Sequence, residues 1–258
     1  MFSTTSVPAV KARTIPLLLG ACQVALASLT TVVVPPAETP APQVSAAVGL
    51  ADNFVFTVVN SHTAAVSTLH EVGAGSPTAT RIDSPGNTIA PGETITFAVP
   101  TGWFGRLAVY ENGYDIAGRG TLLEGSFFMN GDHATMAMDV SYVDAFTVPM
   151  VCECADKVQL GCNLNLHEIC PKDLQLNGKT CANPYRDDPQ HPPGAENIFK
   201  DCQGMAYTFP TDDLATKVDL PGCSRSTTCC IGTECRPHPG QLKCPMKDGY
   251  ARECAQAS

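Results

Sequence analysis

The sequence predicts a mainly β protein, an antiparallel β-sandwich joined to a disulfide-rich loop region. From residue 52 to residue 151, short segments rich in β-branched and aromatic residues alternate with turns that contain Gly or Pro. None of these segments has the 3.6-residue apolar period of a helix. From residue 152 to residue 258 the chain is instead dense in cysteine. Strands without intervening helices favour a sandwich or barrel, and a cysteine-dense segment relies on covalent links more than on a large core.

Five segments of the first half have the character of strands. Phe-Val-Phe-Thr-Val-Val lies within Asn53–Asn60, and apolar residues alternate with polar or small ones in Glu93–Val99. The other predicted strands are Arg106–Glu111, Thr121–Asn130 and Ala134–Val143. Between them stand Gly-containing turns, so the segments are expected to pair as antiparallel neighbours. The single tryptophan, Trp103, is expected to anchor packing from a turn.

The N-terminal residues have the features of a secretory signal peptide. Lys11 and Arg13 precede a short apolar run that ends in Ala25-Leu26-Ala27, a small-x-small cleavage pattern. We therefore predict that residues 1–27 are a signal peptide. Residues 28–51, rich in Pro and Ala, are predicted to be a linker or propeptide. The expected product is a secreted, extracellular protein without a membrane span.

Cysteine number supports an oxidised protein. There are thirteen cysteines, and Cys22 lies in the predicted signal peptide, which leaves an even number for disulfides. Zinc is disfavoured at Cys152-x-Cys154 and Cys229-Cys230, since zinc sites favour other spacings and a reducing compartment. No metal or cofactor is predicted. The cysteines expected in disulfides are Cys152, Cys154, Cys162, Cys170, Cys181, Cys202, Cys223, Cys229, Cys230, Cys235, Cys244 and Cys254.

Net charge restricts the possible partners. The formal charge is −9, and no patch of Lys and Arg is visible. Such a balance disfavours nucleic acid and anionic membranes, which both require basic surfaces. The expected partner is a cell-wall polysaccharide or an extracellular protein, and the expected state is a monomer.

The residues on which a site could be built lie around the stretch Asp139–Met150. Glu124 and Asp139 fall on neighbouring predicted strands, so they could form the carboxyl pair that glycoside hydrolysis needs. Glu124 is flanked by Leu122, Leu123 and Phe127, which favours a raised pKa and a role as the acid. The alternative from the residues alone is that both are solvated acids on a strand face.

Asp144 and several aromatic residues are candidates for substrate binding. Residues five apart on a straight strand point to opposite faces, so Asp144 can join Asp139 only if the chain bends near Tyr142–Ala145. We predict that bend, with a turn-capping role for Asp144 as the alternative. Phe146, Tyr110 and Tyr142 could stack on sugar rings, although such residues also serve as core.

Several segments resemble the thaumatin-like proteins and, more loosely, the secreted fungal members of that family. The most specific match is Asp139–Met150, Asp-Val-Ser-Tyr-Val-Asp-Ala-Phe-Thr-Val-Pro-Met. The other matching segments are Phe56–Asn60, Pro91-Gly92-Glu93 with Gly105-Arg106-Leu107, Thr121–Phe127, Cys170–Leu174 and Ala206–Asp213.

That resemblance implies a central antiparallel sandwich, a disulfide-rich loop domain and an acidic cleft between them. It also implies binding of β-1,3-glucan, weak endo-β-1,3-glucanase activity in some members, and a role in defence. Carried over by position, the cleft acids are Glu124, Asp139 and Asp144. The implied disulfides are Cys170–Cys181, Cys162–Cys202, Cys230–Cys235, and Cys223 with either Cys152 or Cys154.

The chain departs from the family pattern at four positions. Tyr110 stands where the family has a cleft arginine, and Met205 lies near the position of a further cleft aspartate. Ala145 replaces a glycine, and His62 replaces the cysteine of the bridge that joins the two chain ends. The leading hypothesis is a secreted protein that binds β-1,3-glucan. The alternatives are an interaction or effector protein with a vestigial cleft, and a weak endo-β-1,3-glucanase with Glu124 and Asp139 as catalytic residues.

Overall fold

Two six-stranded sheets face each other across one apolar core. The computed structural model describes residues 53–79, 81–82, 88–188, 194–196 and 198–242. Within these residues the helices are three single 3₁₀ turns, and none is long and apolar enough to cross a membrane. The turns are Leu166–Glu168, Lys200–Cys202 and Asp213–Ala215.

The strands are β1 (Asn53–Asn60), β2 (Val66–Val72), β3 (Arg81–Ile82), β4 (Thr88–Ile89), β5 (Thr94–Pro100), β6 (Trp103–Glu111), β7 (Thr121–Asn130), β8 (His133–Ser141), β9 (Ala145–Phe146), β10 (Met150–Cys154), β11 (Lys157–Cys162), β12 (Cys181–Ala182), β13 (Lys217–Val218) and β14 (Ser226–Ile231).

The strand order explains how distant parts of the chain meet. The first sheet has the order β11-β10-β14-β1-β5-β3, and the second has the order β13-β8-β7-β6-β2-β4. All neighbours are antiparallel except β1 and β14, which run parallel. A separate two-stranded sheet joins β9 to β12. The predicted antiparallel β-sandwich is confirmed, and each of the five predicted strands is present with ends that differ by at most a few residues.

Aromatic side chains from both sheets fill the core. Phe54 and Phe56, alternate residues of β1, are fully buried, as the pleat of a strand requires for residues on one face. Phe56 stacks on Phe97 of its own sheet at 4.8 Å, and Phe54 meets Phe127 of the other sheet at 5.7 Å. Burial of each such ring contributes about 2–3 kcal/mol. Trp103 is also buried, at the start of β6 rather than in a turn.

The cysteine-dense half contributes three strands to the first sheet. The sequence predicted a loop region there, but β10, β11 and β14 all pair within this sheet. The misreading has a physical cause, because the strands contain cysteines where other strands have Val or Ile. A buried half-cystine is a small apolar residue, and Cys152 and Cys229 are fully buried opposite each other. The domain boundary at residue 151 stays a prediction.

Five disulfides link the described residues. Cys152–Cys229 joins the neighbouring strands β10 and β14, and Cys154–Cys223 lies beside it. The others are Cys162–Cys202, Cys170–Cys181 and Cys230–Cys235. The last three are pairs that the family resemblance implied, and of the two partners it offered for Cys223 the structure has Cys154. Cys244, Cys254, the predicted signal peptide and the predicted linker lie outside the described residues.

Backbone pairing joins β1 and β14 beside His62, the position where the resemblance implied a cysteine. The strands β1 and β14 lie side by side, and the Ser61 N–H donates to the carbonyl of Ile231 at 2.8 Å. Gly232 follows with a φ of 124°, and a Cβ at that position would lie 2.8 Å from the His62 nitrogen. Only glycine therefore fits here, both for its conformation and for the close approach of the two chain segments.

Candidate functional site

A row of four charged residues crosses the outer face of the second sheet. Glu71 of β2 lies opposite Arg106 of β6 in the strand register. Arg106 lies opposite Glu124 of β7, and Glu124 lies opposite Asp139 of β8. Because alternate residues of a strand face opposite sides, neighbours such as Leu123 point into the core while this row points outward. The sheet thus brings the predicted carboxyls Glu124 and Asp139 together.

Arg106 is the centre of an ion-pair network. Its Nε donates to Glu71 Oε2 at 2.5 Å, and its Nη1 donates to Asp144 Oδ2 at 3.3 Å. The other oxygen of Asp144 accepts a hydrogen bond from Arg186 Nε at 2.8 Å. Two arginines therefore neutralise Glu71 and Asp144, and the guanidinium geometry fixes the carboxylates relative to the sheet.

A bend after β8 brings Asp144 to this network. The strand ends at Ser141, and the chain bends at Val143 and Asp144 before β9 begins at Ala145. The bend that the sequence predicted near Tyr142–Ala145 is thus present. Asp144 is only 9% exposed, so the two arginines supply the hydrogen bonds that a buried carboxylate needs.

The strand β6 contains Arg106, four residues before the position that the resemblance assigned to a cleft arginine. The family position falls on Tyr110, which is 3% exposed and packs with Ala108 and Leu122. Arg106 lies four residues earlier on the same face of the strand, where it reaches both Glu71 and Asp144. The strand alternation could have shown that Arg106 and Tyr110 share a face. It could not show that Tyr110 is covered while Arg106 remains accessible.

Phe146, predicted to bind substrate, is a core residue. It is fully buried and makes edge contacts with Tyr142 at 5.2 Å and His167 at 4.9 Å. Its strand, β9, pairs with β12 at Cys181. Tyr142 is also fully buried, and its hydroxyl donates to the Cys162 carbonyl at 2.7 Å. Neither ring offers a face to a ligand, and Tyr110 offers almost none.

The segment from Tyr207 to Thr216 lies beside Asp139. Tyr207 hydrogen-bonds with β8, and its hydroxyl donates to Asp213 Oδ1 at 2.6 Å. Burial and this carboxylate raise the pKa of Tyr207 to about 12. Thr216 hydrogen-bonds to Asp139 itself. Asp213 is therefore an acidic residue near Asp139. The sequence analysis looked for a further acid only near Met205 and did not identify Asp213.

Burial gives the two central carboxyls unusual proton affinities. It raises the pKa of Asp139 to about 8, the nearby Glu124 adds to the rise, and the hydrogen bond with Thr216 offsets part of it. Burial also raises the pKa of Glu124, while the charge of Arg106 opposes the rise. The pKa of Glu124 is therefore shifted in the direction that the sequence predicted. Of the two carboxyls, Asp139 nevertheless binds a proton more readily. Its Oδ1 has no hydrogen-bond partner among the described residues.

An open groove of ≈470 Å³ runs along one side of the row. It is lined by Glu71, Arg106 and Glu124 together with Phe104, a residue that is 41% exposed. Phe104 lies two residues before Arg106 on β6, so both side chains leave the same face of the sheet. The groove thus offers hydrogen-bonding groups beside an accessible aromatic ring. The aromatic candidates drawn from the sequence did not include Phe104.

A second, smaller cavity of ≈230 Å³ contains His62, Glu111, His167 and Lys179. Glu111 Oε2 accepts from Lys179 Nζ at 2.8 Å and lies 3.4 Å from His62 Nε2. His167 Nε2 is 2.9 Å from the Thr147 carbonyl, which assigns a proton to that nitrogen. Burial lowers the pKa of His167. Within the part of the chain that the structure describes, no group of three or more His, Cys, Asp or Glu side chains could hold a metal ion.

A fungal elicitor protein is among the solved structures to which the chain is similar. The chain matches no protein-family model and no curated protein sequence. It is similar to the crystal structure of the protein elicitor MoHrip2 from Magnaporthe oryzae, with 14% identity and a TM-score of 0.36. The match covers 69% of this chain and 98% of the elicitor chain.

Proposed function

We propose that this is a secreted protein that binds a neutral cell-wall polysaccharide, β-1,3-glucan, in the groove across the second sheet. The observation that carries the proposal is the charged row itself. Three of its four residues, Glu71, Arg106 and Glu124, line the groove, the row lies on adjacent strands, and its arginine is paired with carboxylates. Such a surface presents many hydrogen-bond donors and acceptors to hydroxyl groups without attracting an ion of either sign.

Charge compensation supports a neutral ligand in particular. Arg106 pairs with Glu71 and Asp144, and Arg186 pairs with Asp144. The raised pKa of Asp139 leaves that carboxyl protonated near neutral pH. An anionic polysaccharide would be repelled by Glu71 and Glu124 in the groove. A cationic polysaccharide would have to compete with Arg106 for these carboxylates. Uncharged sugars carry neither penalty.

Secretion and the choice of polymer have separate support. Five disulfides in the described residues fit an oxidising compartment, which agrees with the predicted signal peptide. The resemblance of Asp139–Met150 to thaumatin-like proteins supports β-1,3-glucan as the polymer. The same resemblance suggests an antifungal or wall-remodelling role.

Retention on insoluble β-1,3-glucan tests the proposal. We expect the protein to sediment with the polymer, to be released by soluble laminarin, and to be retained less on cellulose. The double variant Glu71→Gln/Arg106→Gln removes the centre of the row and should weaken retention. The double variant Asp173→Asn/Lys172→Gln, at exposed positions away from the groove, is the matched control. Absence of retention by the wild type would reject glucan binding and favour a role in contact with another extracellular protein.

A weak endo-β-1,3-glucanase is the second candidate, and the register of β7 and β8 favours it. Directly opposite residues on antiparallel strands have Cβ atoms ~4.5–5.5 Å apart, so the two carboxyl groups can approach the ~5–5.5 Å separation that a retaining enzyme needs. Asp139 would donate its proton to the glycosidic oxygen while Glu124, ionised beside Arg106, attacks the anomeric carbon. Water would then release the sugar, with Asp139 accepting the proton.

Release of reducing ends from laminarin separates catalysis from binding. We expect slow release by the wild type and none by Glu124→Gln or Asp139→Asn, with glucan retention measured for each variant so that a loss of binding is distinguished from a loss of catalysis. Equal rates for wild type and Glu124→Gln would show that these carboxyls do not catalyse hydrolysis. In that case the groove is a binding site alone.

A further inference from the structure

Phe104 has the placement of a ligand-binding aromatic residue. The residue is 41% exposed, although phenylalanine is among the residues most often buried. It lines the groove beside Glu71, Arg106 and Glu124. No ring partner of Phe104 occurs among the aromatic contacts of the described residues. Packing within the fold thus leaves much of this ring available.

The ring is nevertheless held in place. A Cβ at Gly73 would overlap the Phe104 ring, so the ring rests directly on the glycine backbone. The backbone of Phe104 is fixed as well, since its N–H donates to Ser76 Oγ at 2.9 Å and its carbonyl accepts from the Gly73 N–H at 3.0 Å. A ring supported from below and exposed above loses little freedom when a ligand covers it.

The spacing from Phe104 to the charged row suits one sugar ring. Phe104 and Arg106 are two positions apart on one strand, a separation of ~6.7 Å, which is slightly more than the width of a pyranose. A sugar lying over Phe104 therefore places its hydroxyl groups within reach of Arg106 and of Glu124 on the next strand. Its C–H face meets the negative face of the aromatic ring, and its polar edge meets the hydrogen-bonding groups.

We infer that Phe104 is a stacking platform for one uncharged β-linked hexopyranose unit of the polysaccharide, with Glu71, Arg106 and Glu124 binding that unit's hydroxyl groups. The inference rests on the proposed function and names a binding residue for it. It requires a sugar with an unsubstituted ring face, because a bulky or acidic substituent would meet either Phe104 or the carboxyls.

Phe128 provides a matched control on the same face of the same sheet. It is 38% exposed and lies on β7, two residues after the serine opposite Phe104. Phe128 does not line the groove. Its substitution removes a comparably exposed ring without touching the charged row. A general loss of apolar surface would affect both positions equally, whereas a platform at Phe104 would not.

Calorimetric titration with laminarihexaose tests the platform. We expect Phe104→Ala and Phe104→Leu to weaken binding about 3- to 10-fold, since stacking contributes that much beyond buried area. Leucine fills the space above Gly73 without an aromatic face. Phe104→Tyr should bind within about 2-fold of the wild type, and Phe128→Ala should bind as the wild type. Thermal unfolding of each variant verifies the fold.

The outcomes separate this inference from the function on which it rests. If Phe104→Leu binds laminarihexaose as tightly as the wild type, the platform is wrong and glucan binding stands. Equal weakening by Phe128→Ala and Phe104→Ala would also reject a specific platform. If the wild type binds neither laminarihexaose nor insoluble glucan, the proposed function fails and this inference fails with it.

Discussion

Glu124 and Asp139 occupy directly opposite positions on β7 and β8, and burial raises the pKa of both carboxyls. Two like charges at adjacent, poorly solvated positions cannot both form without cost. The pair therefore holds one proton at neutral pH. The positive charge of Arg106 favours the ionised form of Glu124, so the remaining negative charge lies there. A proton shared in this way gives the protein a stability that depends on pH.

The first prediction concerns that dependence. The pKa of Asp139 is about 8 in the folded protein and 3.8 in the unfolded chain, so the folded state binds the extra proton between these values. The contribution is fully present below pH 3.8 and is lost as the pH rises through about 8. Asp139→Asn cannot ionise and should lack this loss. Chemical unfolding from pH 4 to pH 9 should show a wild-type stability that falls relative to the variant by a few kcal/mol.

Asp173→Asn is the control for this experiment, since Asp173 is exposed. Its difference from the wild type is the background with which the Asp139→Asn difference is compared at each pH. A constant difference for Asp139→Asn would mean that Asp139 ionises normally. The same result would remove the basis for its role as an acid in hydrolysis.

The second prediction concerns Arg106. Replacement by Gln leaves Glu71 without its 2.5 Å partner and removes one of the two arginines of Asp144. Both contacts are partly exposed, so we expect a loss of about 1–2 kcal/mol in the free energy of unfolding at pH 7. Arg106→Lys keeps the charge but cannot make both contacts, and should lose about half as much. A lysine variant as unstable as the glutamine variant would show that geometry, not charge, matters here.

The third prediction compares two disulfides. Cys152–Cys229 closes a loop with a sequence separation of 77, and Cys230–Cys235 closes one of 5. Because Cys154–Cys223 stays intact inside the longer loop and shortens it to about ten residues, loop-closure entropy assigns about 2.5–3 kcal/mol to the first and about 2 kcal/mol to the second. Guanidinium unfolding of Cys152→Ala/Cys229→Ala and Cys230→Ala/Cys235→Ala should show this order. Equal losses would indicate that local packing, rather than restriction of the unfolded chain, dominates at both sites.

The fourth prediction concerns Lys179 at the smaller cavity. Burial alone would raise the pKa of Glu111, but hydrogen bonds with Lys179 and His62 outweigh it and lower the pKa. The resulting stability is present above the unfolded pKa of 4.5 and is lost as the pH falls through the lower folded value. Lys179→Gln should cost about 1 kcal/mol at pH 7 and little near pH 3, by chemical unfolding. The exposed Lys172→Gln, as control, should change stability little at either pH.

The first half of the fold was predictable because its strands follow simple rules. In Asn53–Asn60 and Thr121–Asn130, β-branched and aromatic residues stand between clear turn signals, so pattern alone defines the element. In Ser226–Ile231 the apolar positions are partly cysteines, and two adjacent cysteines break the usual alternation. The strand forms because β1 and β10 pair with it on both sides, which is information from distant parts of the chain.

The candidate site was also only partly predictable from the sequence. Glu124 and Asp139 were accessible to sequence reasoning because they lie on consecutive, regular strands whose register follows from one short turn. Phe146 was misjudged because burial depends on β12, a strand that pairs with it from beyond the first sandwich segment. Arg186 reaches Asp144 from a loop with no local pattern, so no signal in the sequence identified it.

The position of β14 has a consequence for biosynthesis. This strand lies in the middle of the first sheet, between β1 and β10, yet its residues follow nearly all the others in the described sequence. While the chain is being made, β1 can pair with β5 but has an open edge on its other side, and β10 lacks the same neighbour. The sheet is completed only after residues 226–231 have emerged, so the Cys152–Cys229 link forms late. A chain stopped before residue 226 would expose two unpaired strand edges and would depend on chaperones to avoid aggregation.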